Sequence, residues 1–154
     1  MADSDVDIAN MALTLLGEAS ITDLGDSTDS ARVMQRLYTI ALDAALRDHN
    51  WNFAQIRKAL ARHAVKPAYE FTYQYTLPTD PYCLRVLETN LDPTEPWRIE
   101  TYKTDAEQSR VIVTDATAVK ILFVARLTDP VLWDALFADA MAFELAYRAS
   151  YPIT

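Results

Sequence analysis

The sequence predicts an α+β fold: a mainly helical bundle with a small antiparallel β-sheet inserted before the last long helix. Three observations lead there. Apolar residues recur with helical period through the first fifty positions. The period then changes to two over residues 69–77, where Tyr69, Phe71, Tyr73, Tyr75 and Leu77 alternate with Glu70, Thr72, Gln74 and Thr76. After Thr128 the chain becomes almost uniformly apolar, over a length that suits only a helix.

Each element has its own warrant. Ser4 and Asp7 have capping-box spacing, ahead of Ile8, Met11, Ala12, Leu15 and Leu16. Gly17 is placed to end that helix in the left-handed conformation. The loop over residues 18–27 carries two apolar anchors, Ile21 and Leu24. A second helix is expected over 28–49, with Met34, Leu37, Tyr38, Ala41, Leu42, Ala45 and Leu46 as its stripe and Asp43 and Arg47 as an i,i+4 pair. Trp51 and Phe53 then mark a buried corner, where Asn52 is placed to cap a third helix. That helix, short and basic, is expected from 55 to about 64, stopped by Pro67. Beyond the strand over 69–77, shorter strands are expected over 84–88, 97–101, 111–113 and 119–127. Thr128 or Asp129 caps the last helix, with Pro130 at its first position. That helix leaves little polar surface, so it is either central to the core or sandwiched between the core and a partner. Residues 1–154 are expected to form a single domain, long enough to bury a core.

Composition excludes several classes. One cysteine, Cys83, rules out an internal disulfide and any multi-cysteine metal site, and fits a reducing compartment. No apolar run approaches the ~18 residues of a membrane span, and the first eight residues are acidic rather than leader-like. No nucleotide fingerprint or metal-ligand spacing occurs. His49 and His63 have no evident catalytic partner, and Cys83 reads as a buried, inert thiol. No catalytic, cofactor or metal residues are therefore expected. Among the many carboxylates a glycosidase-like pair remains an alternative, as does a sugar-stacking face on the tyrosine strand.

Charge is unevenly spread. The first 31 residues hold seven acids and no Lys or Arg, so they carry seven of the eight net negative charges. Arg57, Lys58, Arg62 and Lys66 form a basic segment within ten residues. One reading is ordinary solvated faces and helix-dipole complementarity. The other is a subunit or partner interface in which Asp5, Asp7, Asp23 and Asp26, with Asp3 and Asp29, meet Arg57, Lys58, Arg62 and Lys66 of a neighbour.

Fragments spread along most of the chain carry a resemblance. They include Ala12-Leu13, Leu16-Gly17, Ser30-Ala31, Trp51-Asn52-Phe53-Ala54, Tyr75-Thr76-Leu77-Pro78, Leu84-Arg85-Val86, Trp97-Arg98 and Thr128-Asp129-Pro130. In order and spacing they resemble the head-to-tail adaptor proteins of tailed bacteriophages, also called tail tubular protein A or tail accessory factors. The resemblance implies a structural virion protein at the head–tail junction, made in the host cytoplasm, with no enzymatic activity and no cofactor. It implies a homo-oligomeric ring, twelve-fold by analogy, that binds the portal protein on one side and downstream tail or nozzle proteins on the other. Double-stranded DNA would pass through without sequence-specific binding, and an acidic wall would let it slide. The alternative function is a virion-associated peptidoglycan hydrolase or carbohydrate-binding module; a cytoplasmic interaction domain unrelated to phages is a third reading. Because the chain shows no long heptad or other self-pairing seam, the free protein is expected to be monomeric or weakly associated, closing a ring on the portal.

Overall fold

The computed structural model describes residues 4–153. Three helices and two small antiparallel sheets make up an α+β fold, with the longest apolar helix after the strands. The chain folds as two compact units. Among the described residues one comprises 4–54 and 126–153, and the other the intervening 55–125.

In the helical unit, α1 (Asp5–Leu15) starts as its sequence predicts: the Ser4 side chain accepts from the Asp7 N–H. Gly17 ends it with φ +75°, a backbone state that a side chain would strain. The loop beyond is pinned by Asn10, whose amide donates to the Ile21 carbonyl and accepts from the Ile21 N–H. Helix α2 (Asp29–Asp48) is capped by Thr28. Its inner stripe of Met34, Tyr38, Ala41, Leu42, Ala45 and Leu46 is buried. The expected Asp43–Arg47 pair does not form. Asp43 instead takes a bidentate hold on Arg126, at 2.7 Å for both bonds. Both candidate partners are arginines; Arg126 places Nε and a terminal nitrogen against the two carboxylate oxygens, a fork that the exposed Arg47 does not make with Asp43.

The corner at residues 51–54 is a 3-10 turn (Asn52–Ala54), so there is no third helix there for Asn52 to cap. Trp51 is half-buried, donates its indole N–H to the Ala45 carbonyl, and meets Phe137 edge-on at 5.1 Å. Asp129 caps only a short 3-10 turn (Pro130–Leu132); α3 (Ala135–Ile153) begins later, where Asp134 accepts from the Leu136 N–H. Phe137, Met141, Leu145 and Ala149 carry α3 into the core.

The sheet unit holds six strands: β1 (Gln55–Ala59), β2 (Tyr73–Thr76), β3 (Cys83–Thr89), β4 (Trp97–Lys103), β5 (Gln108–Thr114) and β6 (Lys120–Ala125). They form two antiparallel sheets, ordered β1-β6-β3 and β2-β5-β4. The four later strands lie where alternation placed them, within a few residues. The strand expected over 69–77 is shorter, because Glu70 takes φ +73° and turns the chain before Tyr73. That strained residue is held by Arg98, 3.0 Å from its carboxylate.

The largest correction falls on the basic segment. It is not a helix: Gln55–Ala59 is a strand paired with β6, Arg57 opposite Leu122 and Lys58 opposite Ile121. Its partner is some sixty residues away in sequence, so no local pattern announces the pairing. Strand β1 lies at the sheet edge, and lysine and arginine there protect an open edge from pairing with other chains.

Candidate functional site

The feature that stands out is the outer face of α3. Leu136, Phe143, Tyr147 and Tyr151 are exposed by 71, 61, 77 and 93%. With the half-buried Ala140 they recur at three- and four-residue steps, so they share one face of the helix. Leu132, in the 3-10 turn before the helix, is also exposed. The opposite face supplies the core. Helix α3 is therefore apolar on its inner and its outer face, and its outer side carries the larger residues. Beside the stripe, Met11, Thr14, Leu15, Asp139, Ala142 and Phe143 line a shallow, mainly apolar groove of about 260 Å³ between α1 and α3. Contiguous apolar surface of this kind marks contact surfaces rather than solvated faces.

The charged residues singled out by sequence have varied roles. Asp3 lies outside the described residues. Asp5 and Asp7 are exposed in the first turn of α1, where a negative charge favours the helix N-terminus. Asp23 and Asp26 belong to their own loop. Asp26 accepts from the Thr22 N–H, the Thr22 hydroxyl and the Asp23 N–H. Those bonds, led by the Thr22 hydroxyl, hold its carboxyl below the usual range. Asp23 in turn accepts from the Gly25 N–H at 2.6 Å. Arg57 and Lys58 are exposed on β1. Arg62 is occupied: it donates to the Thr117 carbonyl at 2.6 Å and lies 3.8 Å over the Tyr73 ring, which Lys66 also approaches at 5.6 Å. The acids sit in the helical unit and the bases in the sheet unit.

The groups with chemical potential are occupied too. His63 Nδ1 accepts from the Val65 N–H, so Nε2 carries the proton and faces Glu107 at 3.0 Å. Its ring also packs on Tyr102 at 4.6 Å. Both nitrogens are thus engaged in holding a loop. Glu70 and Glu100 line a groove of about 430 Å³ together with Tyr69, Phe71 and Tyr102. Both carboxylates contact Arg98 at 3.0 Å, so each is already held in an ion pair within the chain. Cys83 is buried. Among the described residues no group of acids, histidines and cysteine is placed to hold a metal ion, and no helix is long and apolar enough to cross a membrane.

No protein-family model and no curated protein matches this chain. The sequence does carry a signal for the α3 face, since that helix reads as apolar almost all round. What it lacks is the direction of each side chain.

Proposed function

We propose that this chain is a structural assembly protein of the head-to-tail adaptor kind, working through protein–protein contact rather than catalysis. The observation that carries the reading is the outer face of α3, with four large apolar residues exposed opposite an equally apolar buried face. A solvated helix does not keep such a face, whereas a subunit of a larger particle has a use for it. The fragment resemblance supplies the particle: a ring between portal and tail, through which double-stranded DNA passes. The net charge of −8 suits a channel wall that repels phosphate.

On this reading the charged segments set orientation, not affinity. Exposed pairs contribute only ~0.2–1 kcal/mol each. Asp26 and Arg62 are already engaged within the chain, as are Asp5, which accepts from the Val6 N–H, and Lys66, beside the Tyr73 ring, so Arg57 and Lys58 are the stronger contributors. Electron microscopy of the protein mixed with its portal tests the proposal, with ring density at the portal's tail face as the expected result. Turnover of purified peptidoglycan, with no portal binding, would replace it with the hydrolase reading.

A further inference from the structure

We propose that two copies of this chain pair in solution through their α3 helices, packed antiparallel about a two-fold axis. The sequence, lacking a long heptad, favours a monomer. The stripe on α3 is a short seam instead: Leu136, Ala140, Phe143 and Tyr147 are spaced four, three and four residues apart, and Tyr151 extends it. That spacing belongs to an interdigitating helix pair.

Size complementarity selects the occupant. Run against a reversed copy of itself, the stripe sets Leu136 opposite Tyr151 and Ala140 opposite Tyr147, with the two Phe143 rings meeting at the centre. Small faces large on either side of the crossing. A parallel pair would stack Tyr147 on Tyr147 and leave a gap between two Ala140 methyls. The groove lined by Met11, Thr14, Leu15, Asp139, Ala142 and Phe143 adjoins the central position and gives the opposing phenyl ring room. Knob and hole therefore lie on one continuous face, the requirement for an isologous two-fold contact.

Area agrees. At roughly 150–250 Å² per aromatic side chain, the exposed parts of Phe143, Tyr147 and Tyr151 together with Leu136 offer on the order of 600 Å². Leu132 and Leu15, 59 and 49% exposed, bring each copy close to the ~800 Å² per partner of a standard interface. Pairing hides this surface until another partner displaces it. Because each copy carries a net charge of −8, screening by salt should strengthen the pair, whereas a contact between the acidic and basic segments would weaken with salt.

The test is the oligomeric state of the purified full chain, by sedimentation equilibrium from 1 to 100 µM (about the range of an ordinary association). A dimer is expected, tighter at high salt. Phe143→Glu should weaken it by at least ~30-fold, as loss of a central anchor does, with the circular-dichroism melt unchanged. Tyr147→Lys serves as a second variant should the first unfold. Register is read by oxidation in a Cys83→Ala background: Leu136→Cys combined with Tyr151→Cys should cross-link, and Tyr147→Cys should do so only when Ala140→Cys is added. A monomer throughout, a dimer indifferent to Phe143→Glu and Tyr147→Lys, or efficient cross-linking of Tyr147→Cys alone would each overturn the proposal. These results do not depend on portal binding, so failure of the adaptor reading would leave them standing.

Discussion

Helices α2 and α3 are nearly equal in length, at 20 and 19 residues, and both supply the core of the helical unit. They differ on the outside. Helix α2 exposes Arg32, Gln35, Arg36, Thr39, Arg47 and Asp48, with Ile40 as a lone apolar exception. Helix α3 exposes Leu136, Phe143, Tyr147 and Tyr151, with Asp139 and Arg148 beside them. The inner faces obey one rule, burial of apolar area at about 25 cal/mol per Å². The outer face of α2 is polar and suits water; that of α3 is largely apolar, and on the reading proposed above another protein surface covers it. An apolar outer face costs solubility and adds nothing to the fold, so its place on one helix and not the other points to use.

The inner faces should be alike in cost. Phe137→Ala removes a fully buried ring in contact with Trp51, Phe53 and Trp133, and should destabilise by ~3–5 kcal/mol in chemical denaturation. The sequence alone predicts the same cost for Trp51→Ala. Because Trp51 is only half-buried, the lower end of that range, about 3 kcal/mol, is the expected result. An unchanged melt with lost assembly would move Trp51 from the core to a contact surface.

The flank of α2 comes next. Asp43→Ala strips Arg126 of a two-bond partner in a site about three-quarters shielded from water. A loss of about 1–3 kcal/mol should result, and the Asp43→Ala, Arg126→Ala double variant should lose less than the two singles combined. Thr28→Ala removes the α2 cap and should cost about 1 kcal/mol, read from the same denaturation curves.

Tyr38 sharpens the comparison from within the core of α2. Its hydroxyl is buried without a hydrogen-bond partner among the described residues. Burial first, and the Asp5 charge second, push its ionisation well above the ordinary phenol value. Tyr38→Phe should therefore be neutral or stabilising by up to ~1 kcal/mol, since it removes an unsatisfied group and keeps the ring. The smallest effect on the fold belongs to the outer face of α3. Tyr147→Lys should shift the stability of the monomer by no more than ~0.5 kcal/mol. A loss of several kcal/mol there would make that face structural and erase the contrast with α2.

Much of this architecture is legible in the sequence because its cues are local. Ser4, Thr28, Asp129 and Gly17 act within four residues of their own positions, and helical or strand period reads which residues turn inward. The two long helices, the later strands and the loop anchored by Ile21 rest on such cues. The basic segment does not. Arg57 and Lys58 fit a helix locally, and only the ladder with β6 makes them a strand edge. Asp43 likewise has a plausible partner one turn away and takes Arg126 instead, 83 residues on. The candidate surface divides the same way. Sequence alone determined that α3 is apolar almost all round, because composition is local. Which of those residues face water was decided only when α1 and α2 had packed against it, because burial is a property of the neighbours and not of the residue.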